Sequence, residues 1–190
     1  MLEHERLALV VIAVITATMA FVESMVAVPA ASTALQADAL SFVQHSMSAG
    51  FALRGGSRYG RPRWTVQLQG IVMILLGGLV GVIAVGRTLL GSFPHYPAMT
   101  VMGIIALGGH LFACAIMLHS RGQLTSFFGL WRFSRADTMG NLAVIAAAMA
   151  VALTRSNIPD IVLGAAMAAI FLISGWRIAV TGRTDAGQTR

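Results

Sequence analysis

A chain of 190 residues that is 57% hydrophobic and only 11% charged departs far from the roughly 45–50% apolar and about 25% charged of soluble domains. It is read as an integral membrane protein. The net charge of +6 comes from thirteen arginines without a single lysine, placed mostly between apolar runs, which excludes a nucleic-acid-binding face and points to topology instead. One cysteine, Cys114, inside an apolar run excludes both a disulfide framework and zinc-finger spacing.

Six apolar runs follow one another, at about 7–28, 32–53, 66–90, 98–118, 137–154 and 160–180. Each is close to the ~20 residues that cross a ~30 Å hydrocarbon core as a helix. The first is preceded by MLEHER, with two Glu and one Arg, and is interrupted by Glu23; a signal peptide would be shorter and more basic, so the run is expected to be a retained helix. The second contains QADALSFVQHSMSAG, and RGGSRYGRPRW behind it reads as a surface connection and not a ligand site. The third carries Arg87 near its end. The fourth carries His110 and Cys114, the fifth begins at Asp137 after Arg121, Arg132 and Arg135, and the sixth begins at Asp160. The last residues, 181–190, are polar and expected to form a disordered tail.

Orientation follows from the arginines. If all six runs cross, eleven of the thirteen fall on the side of the two termini, leaving Arg87 and Arg155 opposite. Both ends are therefore expected in the cytoplasm, with the protein a multi-pass component of the cell (inner) membrane.

The acids then raise a chemical question. Glu23, Asp38 and Asp137 fall within or near the ends of membrane runs, where an ionisable group costs at least ~2.5–3.5 kcal/mol and usually faces the bundle interior. On the second run Asp38, Ser41, His45 and Ser48 recur at i, i+3, i+7 and i+10, one stripe of a helix. Asp137 and Asn141 are i and i+4 on the fifth; His110 and Cys114 share that spacing on the fourth. Carboxylate, imidazole and thiolate are ligands for zinc and similar ions, and an i/i+4 pair lets one helix supply two of them. The same groups also serve as interhelical packing and hydrogen-bonding residues, above all His110, Cys114 and Glu23.

FVESMVA, QADALSFVQHSMS, RADTMGNLAVIAAA and IPDIVLGAAMAAIFLISGWRI occur in this order, and on them the chain resembles the cation diffusion facilitator (cation efflux) family, in particular its short six-helix bacterial members without the C-terminal cytoplasmic domain. The resemblance covers essentially all the apolar chain. It implies an all-α integral membrane protein, a six-transmembrane-helix bundle over 1–180, that exports Zn(II), Co(II) or Cd(II) from the cytoplasm by proton antiport, usually as a homodimer. Carried onto this chain, the family's ligand positions are Ser41 and His45 on the second helix and Gly140 and Val144 on the fifth. Only His45 is a good ligand among them.

The expected metal set is therefore a remodelled one, led by Asp38, His45 and Asp137 and completed from Asn141, Ser41, His110, Cys114 and Glu23. The metal is cargo; no cofactor is expected, and the other partner is the lipid bilayer. An alternative function is a non-transporting membrane protein whose buried polar residues hold helices together or engage a partner subunit; a pathway for a monovalent ion is a third. No nucleotide-binding loop, nucleophile–base pair or HExxH motif occurs, so an enzyme is not expected.

Overall fold

Lipid offers no partner for peptide groups, so long apolar runs satisfy their hydrogen bonds internally as helices. The structure, a computed structural model, describes the backbone of residues 3–55, 63–119 and 126–181 and the side chains of 6–54, 63–116 and 138–181. These residues form α1 (Glu3–Ala27), α2 (Thr33–Gly55), α3 (Arg63–Leu90), α4 (Tyr96–His119), α5 (Ser126–Thr154) and α6 (Ile158–Thr181), with no strand among them. Each expected apolar run coincides with one helix, the first and second overrunning theirs by a single residue. Four segments are long and apolar enough to cross a membrane: Arg6–Ala27, Arg63–Leu90, Tyr96–Ile116 and Ile158–Thr181. The chain is thus all-helical with a multi-pass membrane character. The expected surface loop and tail fall largely on 56–62 and 182–190, outside the described residues.

Helix α5 starts eleven residues before the expected boundary at Asp137, so Arg132 and Arg135 lie on a helix and not in a connection. Its 29 residues at ~1.5 Å each make a rod of ~43 Å, longer than the ~30 Å hydrocarbon core. Hydropathy marks where lipid ends, whereas arginine is a good helix former and lets the helix continue beyond that point.

The helices pack most extensively as three pairs, α3 with α6, α1 with α2 and α4 with α5, and α2 touches all five others. Among the described residues, the exposed large apolar side chains lie on the other five helices and their connections, and none lies on α2. Hence α2 is the axis of the bundle. Its neighbours turn residues such as Phe21, Leu75, Phe112, Leu153 and Ile170 outward, as a lipid-facing belt requires.

Three short connections meet at the end of the bundle away from the termini. The His95 amide donates to the Ala30 carbonyl at 2.8 Å, joining the α1–α2 and α3–α4 connections. Asn157 Nδ2 donates to the Ser92 carbonyl at 3.0 Å and brings in the α5–α6 connection. That common end shows that α1 to α6 run alternately up and down.

Glycines set the closest helix contact. A Cβ at Gly70 would meet the Ala179 nitrogen at 2.5 Å and the Gly175 carbonyl oxygen at 2.7 Å, and one at Gly175 would meet the Gly70 oxygen at 2.8 Å. Backbone therefore rests on backbone along the α3–α6 seam, the small-residue packing that replaces the hydrophobic drive absent in lipid. Gly175→Ala is expected to lower stability by about 1–3 kcal/mol through overpacking. Gly108→Ala, where nothing lies within 4 Å, should leave stability unchanged or improve it by up to ~1 kcal/mol from helix propensity. Thermal unfolding in detergent separates the two.

Candidate polar site in the bundle core

The stripe read on the second helix exists, and it faces inward. Asp38 is 0% exposed, Ser41 2% and His45 4%. By the ~1.5 Å rise, Asp38 lies about 7.5 Å along α2 from its first residue and His45 about 18 Å along it, both away from the ends of the helix. Helix geometry fixes both. Ser41 Oγ donates to the Asp38 carbonyl at 2.7 Å, and His45 Nδ1 lies 2.6 Å from the Ser41 carbonyl oxygen.

That second contact assigns the tautomer. A carbonyl only accepts, so His45 carries its hydrogen on Nδ1 and, when neutral, keeps the Nε2 lone pair for a ligand or donor. A backbone bond on one ring nitrogen is the arrangement that orients a metal-ligating histidine.

The other helices deliver the remaining groups. Glu23 of α1, 0% exposed, lies against Asp38 of α2, and no amide or hydroxyl donor reaches its oxygens among the described residues. His110 of α4 is stacked on Phe42, ring centres 4.0 Å apart at 16°, and meets His45 edge-on at 5.7 Å and 75°. Asn141 of α5, also fully buried, donates from Nδ2 to His110 Nδ1. That bond occupies the Nδ1 lone pair and places the ring hydrogen on Nε2 when the ring is neutral. The two histidines are therefore unequal in tautomer: His45 accepts at Nε2, whereas His110 accepts at Nδ1.

Glu23, Asp38, Ser41, His45, His110 and Asn141 thus belong to one buried polar region contributed by α1, α2, α4 and α5. Gly140 leaves space beside it, since a Cβ there would come no closer than 3.7 Å to Met167 and 3.8 Å to Asp38 Oδ1. Cys114 is buried one turn beyond His110 on α4. Asp137 lies on α5 one turn before Asn141, its side chain outside the described residues. Among the described residues, no three His, Cys, Asp or Glu side chains are gathered closely enough to hold a metal ion together.

Three features were not read as site elements from the sequence. Phe42 supplies the ring on which His110 rests. Gln69 of α3 donates from Nε2 to Ser48 Oγ at 2.7 Å, so the lower end of the α2 stripe is paired with a helix outside the site. Asp160 of α6 accepts from Ser32 Oγ and from the amides of Thr33 and Ala34, at 2.6, 2.7 and 3.1 Å, and so caps α2. Ser32-Thr33 before an apolar run is a legible helix start, but the acid that completes it comes from 127 residues away. Nothing local announces that pairing.

No protein-family model and no curated protein matches the chain. Geometry and chemistry therefore carry the functional reading. The Asn141–His110 bond makes its own prediction: Asn141→Leu removes the donor from a buried ring nitrogen and should cost about 1–3 kcal/mol. Thermal unfolding in detergent should show this loss, while Leu142→Ala, at a 45% exposed position of the same helix, should cost less.

Proposed function

We propose that the protein is a proton-coupled divalent cation transporter of the cation-efflux kind, exporting Zn(II)-, Co(II)- or Cd(II)-type ions from the cytoplasm. The supporting observation is the burial, along one stretch of α2, of two pairs of ionisable groups: the carboxyls of Glu23 and Asp38, and farther along the helix the imidazoles of His45 and His110, carried on α1, α2 and α4. An intramembrane set of this kind is costly to insert and usually marks an ion or proton pathway.

In this reading His45 offers Nε2, Asp38 offers a carboxylate, and Asp137 approaches from α5. Asn141 acts by holding or releasing His110; Ser41, Cys114 and Glu23 are secondary candidates. Carboxylate and imidazole must give up protons to accept a metal, so loading the cation on one side and protons on the other links the two gradients. Adjacent carboxyls in an apolar interior compete for negative charge, which makes their state responsive to an entering cation. The metal is cargo throughout.

This reading requires α2 and α5 to cross the bilayer with the four more apolar helices, both termini being cytoplasmic. The charge pattern supports that placement: Arg6, Arg54, Arg63 and Arg177 sit at the termini end of the bundle, against Arg87 and Arg155 at the other. A reporter joined after Arg190 should register in the cytoplasm; an outside signal overturns the orientation.

A second reading has its own observation. His110 is already engaged by Asn141 and Phe42, as expected of a residue that fastens helices together or prepares a surface for a partner subunit. Transport decides between the two. Proteoliposomes loaded with a metal-sensitive dye should take up Zn(II), Co(II) or Cd(II) faster with an opposing proton gradient, and Asp38→Asn or His45→Ala should reduce that exchange at least about tenfold, ~1.4 kcal/mol, without loss of folded protein. The fastening reading expects no metal-dependent signal in the parent and loss of stability in the variants.

A further inference from the structure

The acid that the site leaves unused is Asp160, and its contacts say what it controls. It is buried at the start of α6, and its two oxygens accept from the Ser32 hydroxyl and from the amides of Thr33 and Ala34. These amides belong to the first turn of α2 and have no partner within the helix. The negative charge also suits the positive end of the helix dipole. Ser32 adds a second cap of its own, its Oγ accepting from the Leu35 amide at 3.1 Å. From α3, Arg87 Nη1 donates to Thr33 Oγ1 at 3.3 Å. No slack remains at this contact, because a Cβ at Gly164 would come within 2.5 Å of Thr33 Cγ2 and 2.8 Å of the Thr33 carbonyl carbon. The first turn of α2 is therefore clamped to the α3–α6 pair.

The opposite side of the same turn seals the bundle. Ala34 and Leu35, both 0% exposed, pack with Ala27 and Ala30 of the α1 end, Met99 and Met102 of α4, and Val144 and Ala148 of α5. This apolar plug lies between the connection end and the polar region that begins with Asp38, one turn farther down α2. An ion reaching that region from the connection end has to pass Ala34 and Leu35. Those residues cannot leave the plug while Asp160 holds the amides of Thr33 and Ala34 and Ser32 holds that of Leu35.

We propose that Asp160 is the latch of a gate at the connection end, and that the polar core opens toward that side by release of the α2 first turn from Asp160, Ser32 and Arg87. The gate rests on reading the core as a transport path; the latch itself is a statement about α2 and can be measured without transport. Asp160 is accordingly a positioning residue that never touches the cargo.

Thiol accessibility in nanodiscs tests it, with both faces open to a membrane-impermeant methanethiosulfonate. Cys114→Ala provides the background, Ala34→Cys reports the plug, and Ala49→Cys, at a fully buried position toward the other end of α2, reports general loosening. Asp160→Asn removes the charge and replaces one accepting oxygen by a donor. It should raise the labelling rate at position 34 by about tenfold, equivalent to ~1.4 kcal/mol, and leave position 49 unchanged; Ser32→Ala should give a smaller rise in the same place. An unchanged rate at position 34, or parallel rises at both positions, overturns the latch. Should Asp160→Asn fail to give monodisperse protein, Ser32→Ala and Arg87→Gln decide the matter with the same two thiols. Zinc uptake by proteoliposomes of these variants separates the two readings. No metal-dependent uptake in the parent removes the transport path and leaves the thiol result standing, whereas uptake with unchanged thiol rates removes the latch alone.

Discussion

Asp38, Ser41, Gln44, His45 and Ser48 occupy one helix of a protein that has almost no other polar surface to spare. Five polar side chains on α2 cannot be turned to hydrocarbon without a cost of several kcal/mol, and the bundle is arranged so that none of them is. The other helices surround α2 and carry the exposed large apolar side chains on their outer sides, while Met99, Met102, Val144, Val80 and Phe171 pack inward beside it. The low hydropathy that keeps α2 out of the clearly membrane-crossing set is the same property that puts it at the centre.

Once α2 is the axis, the remaining helices divide the work. Glu23, His110 and Asn141 bring α1, α4 and α5 to the polar stretch around Asp38 and His45. Helices α3 and α6 meet each other backbone to backbone through Gly70 and Gly175. They reach α2 with different groups: Gln69 at its lower half, and Arg87 and Asp160 at its start. One pair of helices can therefore grip α2 at its end while the others build the chemistry at its middle. Such a division allows the ends of the site to be opened or closed without dismantling the site.

Hydrogen bonds rank the candidate ligands in a way that residue type does not. His45 and His110 are equally good ligands by composition, but the Ser41 carbonyl makes one ring a donor at Nδ1 while the Asn141 amide makes the other an acceptor there. The two rings therefore carry their hydrogens on opposite nitrogens when neutral, Nδ1 in His45 and Nε2 in His110. A similar difference separates the acids. Asp160 is fully supplied with donors at a helix start, whereas Glu23 meets another acid. Supplied acids hold structure, and acids facing acids respond to charge.

Much of the architecture was legible in the sequence, because helix formation in lipid is a local requirement. Six apolar runs of sufficient length had to become helices, and the i, i+3, i+7 spacing of Asp38, Ser41 and His45 placed them on one face whatever surrounded them. The start of α5 was misplaced because hydropathy records the edge of the lipid, while the helix already includes Arg132 and Arg135 on propensity. Which residue meets which across the bundle was not local at all. The capping of α2 by Asp160, the stack of His110 on Phe42 and the choice of tautomer at His45 and His110 depend on contacts between residues far apart in the chain or on atoms that pattern does not orient. The sequence by itself determined the helices and the face that had to be buried, since covalent neighbours fix periodicity. The tertiary structure decided which buried groups meet and which nitrogen of each ring accepts, since a hydrogen bond needs a partner that only folding brings within reach.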